Sequence, residues 1–218
     1  MAPTAKARAR TNNVIAAPRR DFPVRVELLF GTIDSPIGAI LVACRGSAVC
    51  AIEFMACEDV MLAGLQARFP DFRRVDAPDP GGVCSRLRAY FHGQFDALAD
   101  IAVNAGGTPL QRREWAQLRR IPAGAVVTYA ELAKRLGIPN AIRAVGHANA
   151  RNPVNIVVPC HRVVGTNGSL RGYSGGLERK AWLLQHEGVL APRFNPVPYV
   201  PVAANSARSP YRRTRRPA

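Results

Sequence analysis

Residues 154–165 read VNIVVPCHRVVG, so Cys160, His161 and Arg162 set a thiol, an imidazole and a guanidinium side by side between runs of mostly β-branched residues. A thiol attacks carbon only as thiolate, and burial alone pushes its pKa up from about 8.5. It therefore needs a base or a positive charge at hand. His161 is the obvious base. A histidine that takes a proton becomes positive and needs a carboxylate behind it. No acid lies close by in sequence, which leaves Glu178 and Glu187 in the segment that follows. Neighbouring residues of a strand face opposite ways. Cys160 and His161 can cooperate only across a bend, for which Pro159 is well placed, or through a bridging water. A Cys-His pair is by itself equally at home as a buried structural cysteine with an incidental neighbour.

The elements that must position this pair can be read along the chain. VNIVVP is almost continuously apolar, so a strand buried on both faces and ended by Pro159 is expected. Downstream, GGLERKAWLLQHEG predicts a helix with Leu177, Ala181 and Leu184 on its buried face and Gly188 at its end. Upstream, Thr108 and Pro109 open a helix through Trp115 and Leu118. Thr128 and Glu131 predict a capping box at the next helix, which Gly137 closes. Asn140 is expected to cap AIRAVGHANAR, giving a helix-turn-helix. That last helix is bare, with Ala141, Ala144, Gly146, Ala148 and Ala150, and Arg143 is its one long side chain. Small residues suit either close helix packing or the approach of a large rigid surface to the backbone.

Before residue 105 the pattern changes. Val24, Val26, Leu28 and Phe30 alternate with Arg25 and Glu27 as in a half-buried strand. AILVACRGSAVCAIEF predicts a hairpin turning at Arg45-Gly46-Ser47. Met61, Leu65 and Phe69 mark a helix stopped by Pro70. DAPDPGG is loop, and VCSRLRAYFHG is a short helix capped by Gly93.

The chain has 218 residues, 30 Lys and Arg against 15 Asp and Glu, and a formal charge of +15. The first twenty residues and the last thirty carry eleven of those net charges and no acid. Basic, disordered tails at 1–22 and 192–218 are expected, and such tails favour a polyanion. Five cysteines, an odd number at irregular spacing, argue against a disulfide framework and fit a reducing compartment. Cys44, Cys50, Cys57 and Cys84 read as small buried residues rather than metal ligands. No stretch approaches the ~20 apolar residues of a membrane span, and no secretory signal is expected.

NPVNIVVPCHRVVGTNGSLRGYSGGLERKAWLLQHEG, with IPAGAVVTYAELAKRLGIPNAIRAVG before it, resembles the O6-alkylguanine-DNA alkyltransferases, also called methylated-DNA–protein-cysteine methyltransferases. The resemblance is strong over 107–190 and looser over about 24–100. It implies an α+β protein: a small N-terminal α/β domain like ribonuclease H over 23–104, then a mostly helical winged helix-turn-helix domain over 105–191 that binds DNA and carries the chemistry. It implies double-stranded DNA holding O6-alkylguanine as partner, with O4-alkylthymine as a second lesion, and no cofactor. The metal site that some relatives carry in the first domain does not map clearly here, so no metal is expected, and a monomer is expected. The alkyl group passes irreversibly to Cys160, once per molecule. By motif position His161 is the base through a water, Glu187 holds His161, and Asn152 fixes the turn. Tyr129 gives a proton or hydrogen bond to the leaving purine. Tyr173 and Ser174 wall the pocket, the Val163 backbone meets the exocyclic amine, and Arg143 fills the gap left by the flipped base. Ala144 and Gly146 let the helix approach the minor groove.

Some positions depart from the family pattern. Leu110 and Glu114 replace apolar family residues, which bears on packing, and His147 and Asn149 add polarity to the recognition helix. A damage sensor without transfer is disfavoured because Cys160 is present, and a cysteine hydrolase lacks support beyond the Cys-His pair. The expected setting is the cytoplasm of a bacterium, near the nucleoid.

Overall fold

The computed structural model describes residues 25–189. The two basic tails and Val24 lie outside the described residues. Strands β1 (Glu27–Ile33), β2 (Ile40–Arg45) and β3 (Ala48–Phe54) form an antiparallel meander, with the expected hairpin joining β2 to β3. Helix α1 (Glu58–Arg68) then carries the chain to β4 (Arg73–Asp76), which pairs parallel to β1, giving the order β3-β2-β1-β4. Residue alternation divides the strands between two cores. Leu28, Phe30, Leu41 and Ala43 meet Met61 and Leu65 of α1. Ile40, Val42, Ile52 and Phe54 face Val83, Leu87 and Tyr90 of α2 (Val83–Phe91), in a core that runs on into the second half of the chain. The sequence reading had no β4. Its residues are charged and mostly exposed, with only Val75 half-buried, so an edge strand there leaves no apolar alternation.

In the second half α3 (Pro109–Leu118) starts as expected at Thr108, whose hydroxyl accepts from the Gln111 N–H while Gln111 closes a full capping box. At α4 (Tyr129–Arg135) only half of the expected box forms. Thr128 Oγ1 accepts from the Glu131 N–H at 3.0 Å, but the Glu131 carboxylate pairs with Arg135 one turn on. Helix α5 (Ile142–Asn149) begins after Ala141, and Asn140 does not cap it. The turn closes through its backbone instead, Ala141 N–H donating to Ile138 O at 2.9 Å.

The largest departure is at VNIVVP. Val154 makes a single parallel bridge to Ile52, and the chain then folds into a buried turn rather than a strand. Ile156 lies at φ 72, a left-handed conformation that costs a β-branched residue energy. Cys160–Arg162 form one 3₁₀ turn, and β6 (Val163–Val164) pairs parallel with β5 (Val127–Thr128). An apolar run reports burial, not conformation.

Helix α6 (Leu177–His186) ends at Gly188 (φ 80), as expected. Its buried stripe is Lys180, Leu183, Leu184 and Glu187, whereas Leu177 is 47% exposed. Two of those four are charged, so apolar spacing placed the face about one residue off. Cys44, Cys50 and Cys84 are buried and Cys57 is half-buried.

Candidate active site

The turn that carries Cys160 is tied by one side chain. Asn152 Oδ1 accepts from the Val154 N–H at 3.0 Å, and its Nδ2 donates to Val158 O at 2.8 Å and to Cys160 Sγ at 3.1 Å. These bonds replace the ladder partners that a strand would have supplied. Cys160 is 3% exposed. Burial pushes its thiol up to about 11, against the Asn152 hydrogen bond and the Lys180 charge, which favour the thiolate.

The 3₁₀ turn removes the opposite-faces objection. His161, fully buried, directs Nε2 to Glu187 Oε1 at 3.1 Å. Glu187 also takes Arg162 Nε at 2.8 Å, Arg162 Nη2 at 2.7 Å and the Tyr90 hydroxyl at 2.7 Å. Burial works to raise the Glu187 pKa, but the hydrogen bonds from His161 and Arg162 prevail and hold the carboxyl well below the usual range. An ionised carboxylate only accepts, so Nε2 carries the ring proton and Nδ1 has a free lone pair. Nδ1 is buried and has no protein partner. Burial lowers the pKa of His161, which keeps the resting ring neutral and able to take a proton. Glu178, the other carboxylate weighed above, is exposed on α6.

Tyr129 opens α4, its hydroxyl donating to Arg171 O at 3.2 Å and accepting from Asn149 Nδ2 at 3.3 Å. Burial raises its pKa and keeps it a donor. Tyr173 stands edge-on to His161, ring centroids 6.5 Å apart, with a buried and unpartnered hydroxyl. Ser174 Oγ donates to Asn155 Oδ1 at 3.5 Å. The Val163 carbonyl already accepts from Lys180 Nζ at 2.6 Å, and Arg171 O from the same ammonium at 2.7 Å.

Sequence reasoning missed several of these groups. Asn149, read as a groove residue, is 2% exposed and turns inward to Tyr129 and Cys160 O. Asn155 sits among apolar residues in a segment read as strand. Lys180 hides in an apolar helical face, and Tyr90 and Glu53 come from the other half of the chain. The one available signal was the polarity of Asn155 inside a run expected to be buried.

Arg143 and Ala144 are exposed on α5, and Gly146 is half-buried. A Cβ on Gly146 would meet nothing within 4 Å. The face that packs is Val145, Ala148 and Asn149, so close helix packing does not account for the bare side. Leu110 is half-buried, and Glu114 is fully buried with neither carboxylate oxygen partnered. Among the described residues no group of three or more His, Cys, Asp or Glu could hold a metal ion, and no helix is long and apolar enough to cross a membrane.

Residues 28–105 match a family model described as 6-O-methylguanine DNA methyltransferase, ribonuclease-like domain, and residues 109–189 one described as the DNA binding domain of the same family. The chain is 46% identical over 168 residues to a methylated-DNA–protein-cysteine methyltransferase of Salmonella typhimurium, covering 76% of this chain and 98% of that one. It is 40% identical over 166 residues to the Mycobacterium tuberculosis protein of the same name, covering 75% and 94%. The crystal structure of Mycobacterium tuberculosis OGT in complex with DNA superimposes with a TM-score of 0.61 at 37% identity, over 73% of this chain and 92% of that one.

Proposed function

From the premise that this chain belongs to the 6-O-methylguanine DNA methyltransferase family, we propose that it repairs DNA by moving the alkyl group of O6-alkylguanine irreversibly onto Cys160. O4-alkylthymine is a second substrate of the same chemistry. The observation that carries this reading is the lone, buried Cys160 thiol, with Asn152 Nδ2 at 3.1 Å and the His161–Glu187 pair beside it.

The step balances as follows. The Cys160 proton passes through a water to His161 Nδ1, and Glu187 and Arg162 offset the charge that forms. Sγ attacks the alkyl carbon, and the carbon–O6 bond breaks with its electrons going to the purine. Tyr129 donates to the ring as charge builds there. Overall, guanine gains the equivalent of the proton that the thiol loses. The S–alkyl bond has no route back, so one molecule repairs one lesion. Tyr173 and Ser174 border the base, and the second lone pair of the Val163 carbonyl meets its amine. The O6 atom takes part in base pairing, so the nucleotide must leave the stack. Arg143 fills the space, while Ala144 and Gly146 lie against the groove. Residues 23–104 support this site and 105–191 read the DNA, as a monomer in the cytoplasm of a bacterium.

Intact-mass measurement after mixing with an oligonucleotide bearing O6-methylguanine tests this. One methylene of added mass on the Cys160 peptide, in stoichiometric yield, is expected, and Cys160→Ala should bind yet stay unmodified. An unmodified wild type that still binds the lesion would leave a recognition role alone.

A further inference from the structure

The site takes an unassigned contribution from β3. Ile52 N–H donates to Pro153 O at 2.9 Å, and Asn155 N–H to Ile52 O at 3.2 Å. This backbone clasp sets Glu53, only 8% exposed, against the Asn155 side chain. Asn155 Nδ2 donates to Glu53 Oε2 at 3.0 Å and to Ile52 O at 3.3 Å. Glu53 Oε1 is itself held by the Phe54 N–H at 3.0 Å. Both groups facing Nδ2 are pure acceptors, so the amide cannot turn round without setting oxygen against oxygen. Oδ1 must therefore face the pocket, where it accepts from Cys160 Sγ at 3.7 Å and from the Ser174 hydroxyl at 3.5 Å.

We infer that Glu53 is a positioning residue which, by fixing the orientation of Asn155, holds the resting Cys160 as a thiol. An amide oxygen stabilises S–H and repels a thiolate, whereas a reversed amide would offer N–H to the sulfur and favour the thiolate. The Glu53 charge acts in the same sense on Cys160. Burial raises Glu53 itself to about 6, so it is largely ionised at neutral pH. The other titratable groups that act on the sulfur are Lys180 from α6, Tyr129 from α4 and Tyr173, with His161 next to it in the chain, and those acting on or sensing Glu53 are Arg179 and Cys57. The benefit rests on the reading of Cys160 as a single-use acceptor: a thiol left unionised between lesions is not spent on stray electrophiles.

The test is the pH profile of Cys160 alkylation by iodoacetamide, resolved by peptide mass, in the full chain. Glu53→Gln has one side-chain oxygen, which the Phe54 N–H claims, so its NH₂ faces Asn155, the negative charge is gone, and Ile52 O alone still favours the resting orientation of the amide. The midpoint should fall by about one pH unit, which is about tenfold faster alkylation at pH 7.5. Cys44 and Cys84, whose surroundings do not include Glu53, should not change. Asn155→Ala removes the oxygen altogether and should move the midpoint the same way, which decides the matter if Glu53→Gln fails to fold. An unmoved or raised midpoint overturns the inference. So does a higher plateau with an unmoved midpoint, the mark of a merely loosened pocket. Methyl uptake by the wild type from O6-methylguanine DNA is read in parallel. Its absence would refute the repair reading while the alkylation profile still decides the role of Glu53.

Discussion

His161 Nε2 lies 3.1 Å from Glu187 Oε1, with both side chains closed to solvent. The carboxylate fixes the tautomer, and the tautomer leaves Nδ1 as the basic atom of the ring. Glu187 also neutralises Arg162, which would otherwise be a buried cation with only the Ile121 carbonyl to answer it. Glu187→Gln should therefore act twice. Single-turnover transfer should fall about 10²-fold, the usual scale for losing an oriented base. Stability should fall by about 3 kcal/mol, because one partner of a buried pair is removed. A depressed carboxylate stabilises the fold above its unfolded pKa, and that contribution is lost as pH drops below about 4.5, so the variant should lose least, relative to wild type, in acid. Rapid-quench transfer assays and thermal melts at pH 4 and pH 7 measure both effects.

Glu114 presents the opposite case. It is fully buried with no partner, and burial raises its carboxyl to about 8. A carboxyl whose folded pKa lies above its unfolded one weakens the fold progressively as pH climbs from about 4.5 to about 8. The total is on the order of 4 kcal/mol by linkage. Glu114→Val should raise the melting temperature by about 8–16 °C at pH 7.5. The gain should shrink toward pH 5, where the carboxyl of the unfolded chain also begins to take up its proton. Calorimetry across that range checks the slope, and a gain independent of pH would mean that the buried carboxyl titrates as it does in the unfolded chain.

How far the sequence disclosed this arrangement depended on what each residue signals locally. Thr108 with Pro109, and Gly137, announced their helix ends because caps and left-handed residues act within a few positions. The charged β4 edge was silent, since its partner strand lies more than forty residues away. VNIVVP advertised burial correctly and conformation wrongly, because Asn152 and Asn155 satisfy the backbone from their side chains and free it from a ladder. The motif alone brought Cys160, His161 and Glu187 forward. Glu53 and Tyr90 come from the other half of the chain, and no local pattern links them to the thiol.

The bare side of α5 gives a test that separates packing from DNA contact. A Cβ at Gly146 would meet open space within the protein. Gly146→Leu should leave the fold intact and even add up to about 0.8 kcal/mol of helix propensity. It should nonetheless weaken binding to duplex DNA about tenfold or more, because the new side chain stands where the groove must come. Melting curves and fluorescence anisotropy on one preparation decide the point. Equal affinity would return Gly146 to the status of an idle surface residue.

Arg143, exposed beside it, should matter only when a base has to leave the stack. Unstacking costs a few kcal/mol. A side chain that fills the vacated space should therefore be worth about tenfold in transfer from duplex DNA. Arg143→Ala is expected to lose that factor on a duplex and to react with free O6-benzylguanine within about twofold of wild type, since a free base needs no flipping. Parallel losses on both substrates would show that the arginine supports the pocket rather than the extrusion step.

Tyr129, at the start of α4, is the residue proposed above to assist the leaving purine. Its hydroxyl, raised in pKa by burial, stays protonated and is engaged with Arg171 O and Asn149 Nδ2. On the proposed mechanism, a base entering the pocket exchanges the Arg171 carbonyl for the purine as the acceptor of that proton. Tyr129→Phe keeps the ring and removes the donor, so lesion binding by the folded protein should change little. The transfer rate should fall about 10²-fold, as when one donor to a developing anion is deleted. The loss should be smaller for alkylated bases whose leaving anion is already stabilised by electron-withdrawing substituents, because less charge then falls on the missing hydrogen bond. A uniform loss across such a series would place Tyr129 in the architecture of the pocket, and a graded one places it in the transition state.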